Sequence, residues 1–361
     1  MKREGRPSKS IFVICAFLSI VLSSCACHTY YLRAKSLHHP TRNIGFWGAD
    51  WQQSPLSQRI AAAPEELAEK IRIENMIEGF PEKPVPDKPS PEFFAAITQI
   101  AAVLPAKARK LAEERIIGIY VVRNLGGTGY AEAVLDDKGE ERYAVIVLDR
   151  EVLLSRKANE WATWKEGSVF RAAPGRDIRL RVNIETEEND TVVNAIQYIL
   201  LHEMGHALGM AGTVHSSWSA DVLVSDAYPF SQLSWKAEGK KVESLFDERF
   251  PERRSIHAYA FNKAALTLEQ APATYRSLVQ YTNYPTIHAA VNVWEDFAES
   301  FANYLHIAVE NKPYQVKLYK DGQWKTVLDP CWQEARCRAK KAFMTEWFGN
   351  ESGEANAELP R

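Results

Sequence analysis

The sequence predicts an α+β domain: a small mixed sheet supporting two helices, one with paired histidines and one with paired glutamates. Three observations carry this reading. Runs at 116–123, 130–135 and 143–148 are rich in β-branched and apolar residues and are separated by glycine-rich or Asp-Gly segments. Residues 191–208 keep a helical apolar period with Gly205 as their single Gly or Pro. Residues 292–308 carry a second helical stripe, led by an asparagine suited to a cap.

The chain begins with Lys2, Arg3, Arg6 and Lys9, followed by the apolar run Ile11 to Leu22. That run is short for a bilayer span and has the layout of a secretory signal over residues 1–24. Leu22-Ser23-Ser24-Cys25 resembles a bacterial lipobox, which implies cleavage before Cys25 and lipidation of that residue. Ala26 lacks the aspartate that retains typical enterobacterial lipoproteins at the inner membrane. The expected address is therefore the cell envelope, at an outer membrane facing the periplasm. An uncleaved signal anchor or an ordinary signal peptide is the plainer alternative.

Residues 25–90 read as a lipid-anchored tether and Pro-rich linker, with Pro64 to Phe80 helical and Pro81 to Pro91 a spacer. The main domain is expected over 91–348 and a loose tail over 349–361. Pro91 to Arg115 predicts one or two helices, ahead of strands at Ile116–Arg123, Tyr130–Leu135 and Tyr143–Leu148. Asp136-Asp137-Lys138-Gly139 predicts a turn, and Gly126-Gly127-Thr128-Gly129 a hairpin loop. No lysine or helix start follows those glycines, so they do not read as a phosphate cradle. Ile178, Leu180, Val182 and Ile184 alternate with polar residues, which predicts a strand with one wet face.

His202-Glu203-Met204-Gly205-His206 is the densest chemical signal. On a helix, residues four apart share a face, so His202 and His206 can converge on one metal ion. Glu203 points elsewhere and can reach a water beside that ion. Asp190 is the predicted N-cap and Gly209 the predicted stop. Two histidines satisfied in a core beside a salt-bridged glutamate form the structural alternative. A third ligand at position 212, the metzincin pattern, is excluded because that residue is Gly212, and His215 comes three residues too late. The second helix supplies a better candidate. Asn292 can cap it, and Glu295 and Glu299, at i and i+4, border its stripe of Trp294, Ala298, Phe301, Leu305 and Ala308. Glu295 can give the metal an oxygen, and Glu299 can accept the free N–H of a ligating histidine. A surface capping box of Asn292 and Glu295 is the alternative.

These two segments, H-E-x-G-H and N-x-x-E-x-F-A-E, resemble the gluzincin-type zincin metallopeptidases. They are especially similar to the anthrax lethal factor catalytic domain and to uncharacterised bacterial zinc-binding lipoproteins. The resemblance covers at most about a tenth of the chain. It implies a zincin-like fold, Zn²⁺ held by His202, His206 and Glu295, Glu203 as the base, and Glu299 as support for a zinc-bound histidine. It also implies that the strand before the histidine helix forms the edge on which a peptide is laid. One position departs from the pattern. Where lethal factor has an oxyanion-stabilising tyrosine seven residues before the glutamate ligand, this chain has His288. A protonated His288 can donate to an oxyanion, and Tyr284 is the substitute. A loop histidine without catalytic duty is the third option.

Residues 212–285 predict irregular loops and short helices walling a cleft. Val316–Tyr319 and Trp324–Val327 flank Asp321-Gly322 as a hairpin, and a last helix is expected over Trp332 to Trp347. Cys331 and Cys337 can bridge in an oxidising envelope, although six residues apart on one helix they would face different ways. The formal charge is −2, and removal of a signal bearing a net +3 leaves −5. With no long basic stripe, a nucleic-acid partner is not expected. The expected partners are a peptide or protein substrate and, through the N-terminal lipid, the membrane; oligomeric state is left open. The leading function is zinc-dependent peptide hydrolysis. The alternatives are hydrolysis of peptidoglycan amide bonds and a non-catalytic, zinc-stabilised envelope lipoprotein that binds a partner.

Overall fold

The computed structural model describes residues 28–349 apart from positions 173, 174, 176, 213, 219, 221, 239 and 240. The expected signal segment over residues 1–24, Cys25 and residues 350–361 lie outside the described residues. The protein is a mixed α+β structure with small sheets. Among the described residues, no helix is long and apolar enough to cross a membrane.

The main sheet contains β1 (Ile60–Ala62), β2 (Val85–Pro86), β3 (Ile116–Arg123), β4 (Gly129–Leu135) and β5 (Glu141–Asp149). Its order is β1-β3-β5-β4, with β2 pairing on β3. β1, β3 and β5 run parallel, whereas β4 pairs antiparallel on β5 and forms the sheet's edge. The turn at 136–139 thus makes a β4–β5 hairpin. The glycines at 126–129, expected to close a hairpin, instead carry the chain from β3 past the position of β5 to β4. The sheet is apolar on both faces. Ile119, Val121, Ala133 and Ile146 face the main core, and Ile117, Val122, Val134, Val145 and Val147 face a second cluster with Leu67 and Ile71. Such two-sided burial is the reason these strands read as near-continuous apolar runs.

The segment expected to be a tether is largely built into the domain. Residues 28–37 are helical, β1 belongs to the sheet, and helix Glu65–Glu78 packs Leu67 and Ile71 into the second cluster. The expected spacer contributes β2. Short 3₁₀ turns and an arm held by Trp47 against Tyr120 and by Arg42 to Glu141 (3.2 Å) replace the amphipathic periodicity that would have announced this packing.

The region 91–115 resolves into two helices, Pro91–Val103 and Ala106–Arg115. The alternating strand, Arg179–Asn183, joins a separate three-stranded sheet with Gln315–Lys320 and Gln323–Leu328, whose hairpin turns through Asp321 (φ 53°) and Gly322 (φ 78°). The last helix spans Arg338–Phe348, not 332–347. Cys331 therefore lies in the loop ahead of it, and its Cα comes 5.7 Å from that of Cys337, with which it forms a disulfide. The geometric objection to that bridge assumed one continuous helix, which does not exist here.

Candidate metal centre

The histidine helix spans Val192–Ala211 and is buried from Ala195 to Met210. Its cap is Thr191, whose hydroxyl accepts from the Asn194 backbone N–H (3.2 Å). Asp190, the expected cap, accepts instead from the Asn159 backbone N–H at the start of helix Ala158–Gly167. Gly209 does not end the helix, which runs to Ala211 before Gly212. The glycines serve close approach. A Cβ at Gly205 would stand 2.7 Å from Ala298 Cα of the glutamate helix, Val293–Tyr304, so the two helices cross almost backbone to backbone there. One at Gly209 would run into His215 Nε2 and stand 2.6 Å from Phe297 Cδ1, so this glycine makes room for two rings.

Asn292 caps the glutamate helix as expected, accepting from the Trp294 and Glu295 backbone N–H groups at 2.9 Å each. This cap turns Glu295 toward the imidazoles. His202 Nε2 and His206 Nε2 are 3.1 Å apart, and Glu295 Oε2 lies 3.3 Å from the first and 3.6 Å from the second. These three residues, separated by up to 93 positions in sequence, form a group able to hold a metal ion. A second such group, His202, His288 and Glu299, shares His202 with it. Glu295 Oε2 is buried and accepts no hydrogen bond among the described residues, although three imidazole nitrogens surround it. An orphaned carboxylate oxygen facing ring nitrogens is costly without a cation between them.

Glu299, one turn further on, is fully buried, and its Oε1 lies 3.0 Å from His202 Nδ1. Burial opposes its ionisation, but the Lys165 ammonium and His202 outweigh burial and hold the carboxyl well below the usual range. Burial likewise opposes a charge on His202, yet Glu295 and Glu299 raise it to about 10. Any cation entering the site therefore competes with a proton on His202. Burial raises the Glu203 carboxyl, with His202 and His206 pulling it back down. Glu203 faces the start of β4, where a Cβ on Gly129 would stand 2.6 Å from its Oε1. The glycine-rich segment thus makes room for this carboxylate.

The structure separates the two residues put forward as oxyanion donors. Tyr284 is fully buried away from the site and bonds its hydroxyl to Ser244 Oγ (2.8 Å), so it cannot serve. His288 does reach the site, with Nε2 3.0 Å from Glu295 Oε2. Burial, helped by Lys165, lowers its pKa, with Glu295 and Glu299 pulling it back up. A residue that sequence reasoning missed stands beside it. Tyr259 lines the same cavity, its ring centroid 6.3 Å from that of His288, with its hydroxyl 2.9 Å from Thr128 Oγ1. Burial raises its pKa far above the ordinary tyrosine value, which keeps the O–H protonated.

The cavity has a volume of about 500 Å³ and is lined by His202, Glu203, His206, Tyr259, His288 and Glu295, with Trp218 and Trp294. Gly129 to Ala133 of β4 form another wall, and Ser36, Leu37 and Arg42 of the N-terminal arm reach the cavity as well. The strand beside the site is therefore β4 and not Arg179–Asn183, which contributes nothing to the lining. Beyond a single bridge from Asn43 to Leu135, the outer side of β4 pairs with no other strand among the described residues. No family model matches the chain, and neither a curated protein nor a solved structure matches it.

Proposed function

We propose that the protein is a zinc-dependent metallopeptidase of the zincin type. The observation that carries the reading is the spacing of three donor atoms. Bonds of about 2.0–2.1 Å at a tetrahedral angle put ligand atoms about 3.3 Å apart, and the nitrogens and oxygen stand 3.1, 3.3 and 3.6 Å from one another. Two neutral imidazoles and one carboxylate are a donor set suited to zinc that leaves one position open. The orphaned Glu295 Oε2 fits such an ion.

When bound, zinc supplies Lewis acidity, polarising a carbonyl and easing deprotonation of water near neutral pH. The chain's residues do the rest. Glu203 takes the proton from the attacking water and passes it to the leaving amine, and its raised pKa suits both directions of transfer. Tyr259 donates its O–H to the carbonyl oxygen as negative charge develops. His288 brings Nε2 to 3.0 Å from Glu295 Oε2 and so closes the third side of the cluster. The first residues of β4, Gly129–Ala131, are half-buried and pair with no strand on their outer side among the described residues, so their backbone groups can take an extended peptide by strand addition. Lipidation at Cys25 belongs to the same proposal. With residues 28–37 helical and Ser36 and Leu37 at the cavity, a lipid on Cys25 would tether the cleft to an envelope membrane.

The test is Glu203→Gln assayed on a broad peptide library, with purified murein as a parallel substrate. The expected result is loss of at least ~10³-fold in peptide cleavage with zinc content unchanged. Normal cleavage by that variant would overturn the mechanism. Activity confined to murein would move the substrate to cell-wall amide bonds.

A further inference from the structure

Behind His202 the chain of contacts continues away from the cavity. Glu299 Oε1, which faces His202 Nδ1, also accepts from Lys165 Nζ, and Glu299 Oε2 accepts from Thr286 Oγ1 at 2.8 Å. Both oxygens of this carboxylate are thus held. Lys165 is buried in helix Ala158–Gly167, 134 positions before its partner, with its ammonium 5.8 and 5.9 Å from the Trp161 and Tyr198 ring centroids.

A lysine here needs a reason. Desolvating an ammonium and a carboxylate costs about as much as their attraction returns, so an apolar side chain against these rings would pack the core as well. The charge around the imidazoles supplies the reason. Glu299 is a buried carboxylate outside the group of His202, His206 and Glu295 that could share an ion, and Lys165 is the ammonium in contact with it.

We propose that Lys165 is a positioning residue for the metal centre. Acting through Glu299, it fixes the ring of His202 for ligation and neutralises the carboxylate that backs that ring. Without it, Glu299 becomes an uncompensated buried anion and no longer keeps Oε1 at 3.0 Å from His202 Nδ1. The inference rests on the metal-binding part of the function proposed above and is independent of the peptidase part.

The experiment is a Zn²⁺ titration of the metal-stripped full chain against a chromogenic chelator. It compares wild type with Lys165→Met, Glu299→Gln, the double variant and Lys340→Met, a lysine buried in a second carboxylate pair on the far side of the glutamate helix. Removing support of this kind weakens metal binding by about 10–100-fold. That loss is expected for Lys165→Met and for Glu299→Gln, with the double variant no weaker than Glu299→Gln alone. Lys340→Met is expected to lose thermal stability while keeping its zinc dissociation constant within about twofold. If Lys165→Met does not fold, Thr286→Val reads the same clamp from its other oxygen and is expected to weaken zinc by about 3–10-fold. A folded Lys165→Met that binds zinc as tightly as wild type, or more tightly, would overturn the proposal. So would a double variant whose losses simply add. Failure of wild type itself to bind zinc would overturn the metal centre, and with it any role for Lys165 there.

Discussion

The glutamate helix buries acidic side chains on two faces, and the two are held in opposite ways. On one face Glu295 and Glu299 meet imidazoles, and Glu295 Oε2 is left without a hydrogen bond. On the other, Asp296 pairs with Lys340 and accepts from Trp235 Nε1 at 3.0 Å, with both charged residues fully buried. Asp296 is satisfied by the protein alone, whereas Glu295 sits among groups that the protein leaves unfinished. A buried carboxylate with complete partners fixes the helix, while its neighbour belongs to a group able to hold a metal ion. One residue of offset on a helix separates scaffold from site.

Substitutions on the two faces should therefore fail differently. Glu295→Ala removes one of three donors and is expected to cost at least ~10³-fold in zinc affinity with the folded state kept, read by chelator competition and circular dichroism. Lys340→Met should do the reverse, lowering unfolding free energy by about 3–5 kcal/mol because Asp296 is left as an unpaired buried charge. Denaturant titration measures this, and a large change in zinc affinity would erase the contrast between the faces. Tyr259→Phe removes only a donor and is expected to lower kcat by about 10²-fold with little change in KM or zinc content. Tyr284→Phe, distant from the cavity, should leave kcat unchanged.

Acid should act on the scaffold before the metal-free site is considered. Burial pushes His306 down to about 3 and His215 down to about 4, so both are neutral in the folded chain. As pH falls below about 6.5 the unfolded chain takes up protons that the folded chain refuses. Stability is thus fully present above that value and declines toward pH 4, by up to ~1.4 kcal/mol per pH unit for each histidine. His306→Gln should flatten this slope in urea titrations run from pH 7 to pH 4.5; an unchanged slope would remove the histidine account. The smallest expected effect is Gly205→Ala. Its Cβ would press on Ala298 Cα and force the helices apart, costing about 1–3 kcal/mol and loosening zinc several-fold as Glu295 moves.

Local pattern made the two helices of the candidate centre legible in the sequence. The i, i+4 spacing of His202 and His206, and of Glu295 and Glu299, fixes which residues share a face before any tertiary contact is known. Asn292 could be read as a cap for the same reason. Features made by non-local pairing were not legible. Strands adjacent in sequence usually pair, so the glycines at 126–129 read as a hairpin, whereas β3 lies beside β5 and leaves β4 at the edge. Tyr259 sits at positive φ in an irregular stretch, where no periodicity points it toward the site. Lys165 and Glu299 are joined only by the fold, across 134 positions. The N-terminal arm is made of short turns whose burial depends on Trp47 and Arg42 finding partners on the sheet.

The central claim is that His202, His206 and Glu295 share one zinc ion. An anomalous difference map at the zinc edge, from crystals of the zinc-loaded full chain, tests it most directly. The account predicts a single strong peak about 2.0–2.2 Å from His202 Nε2, His206 Nε2 and a Glu295 carboxylate oxygen. A peak elsewhere, or none at this triad when zinc is supplied in excess, would contradict it.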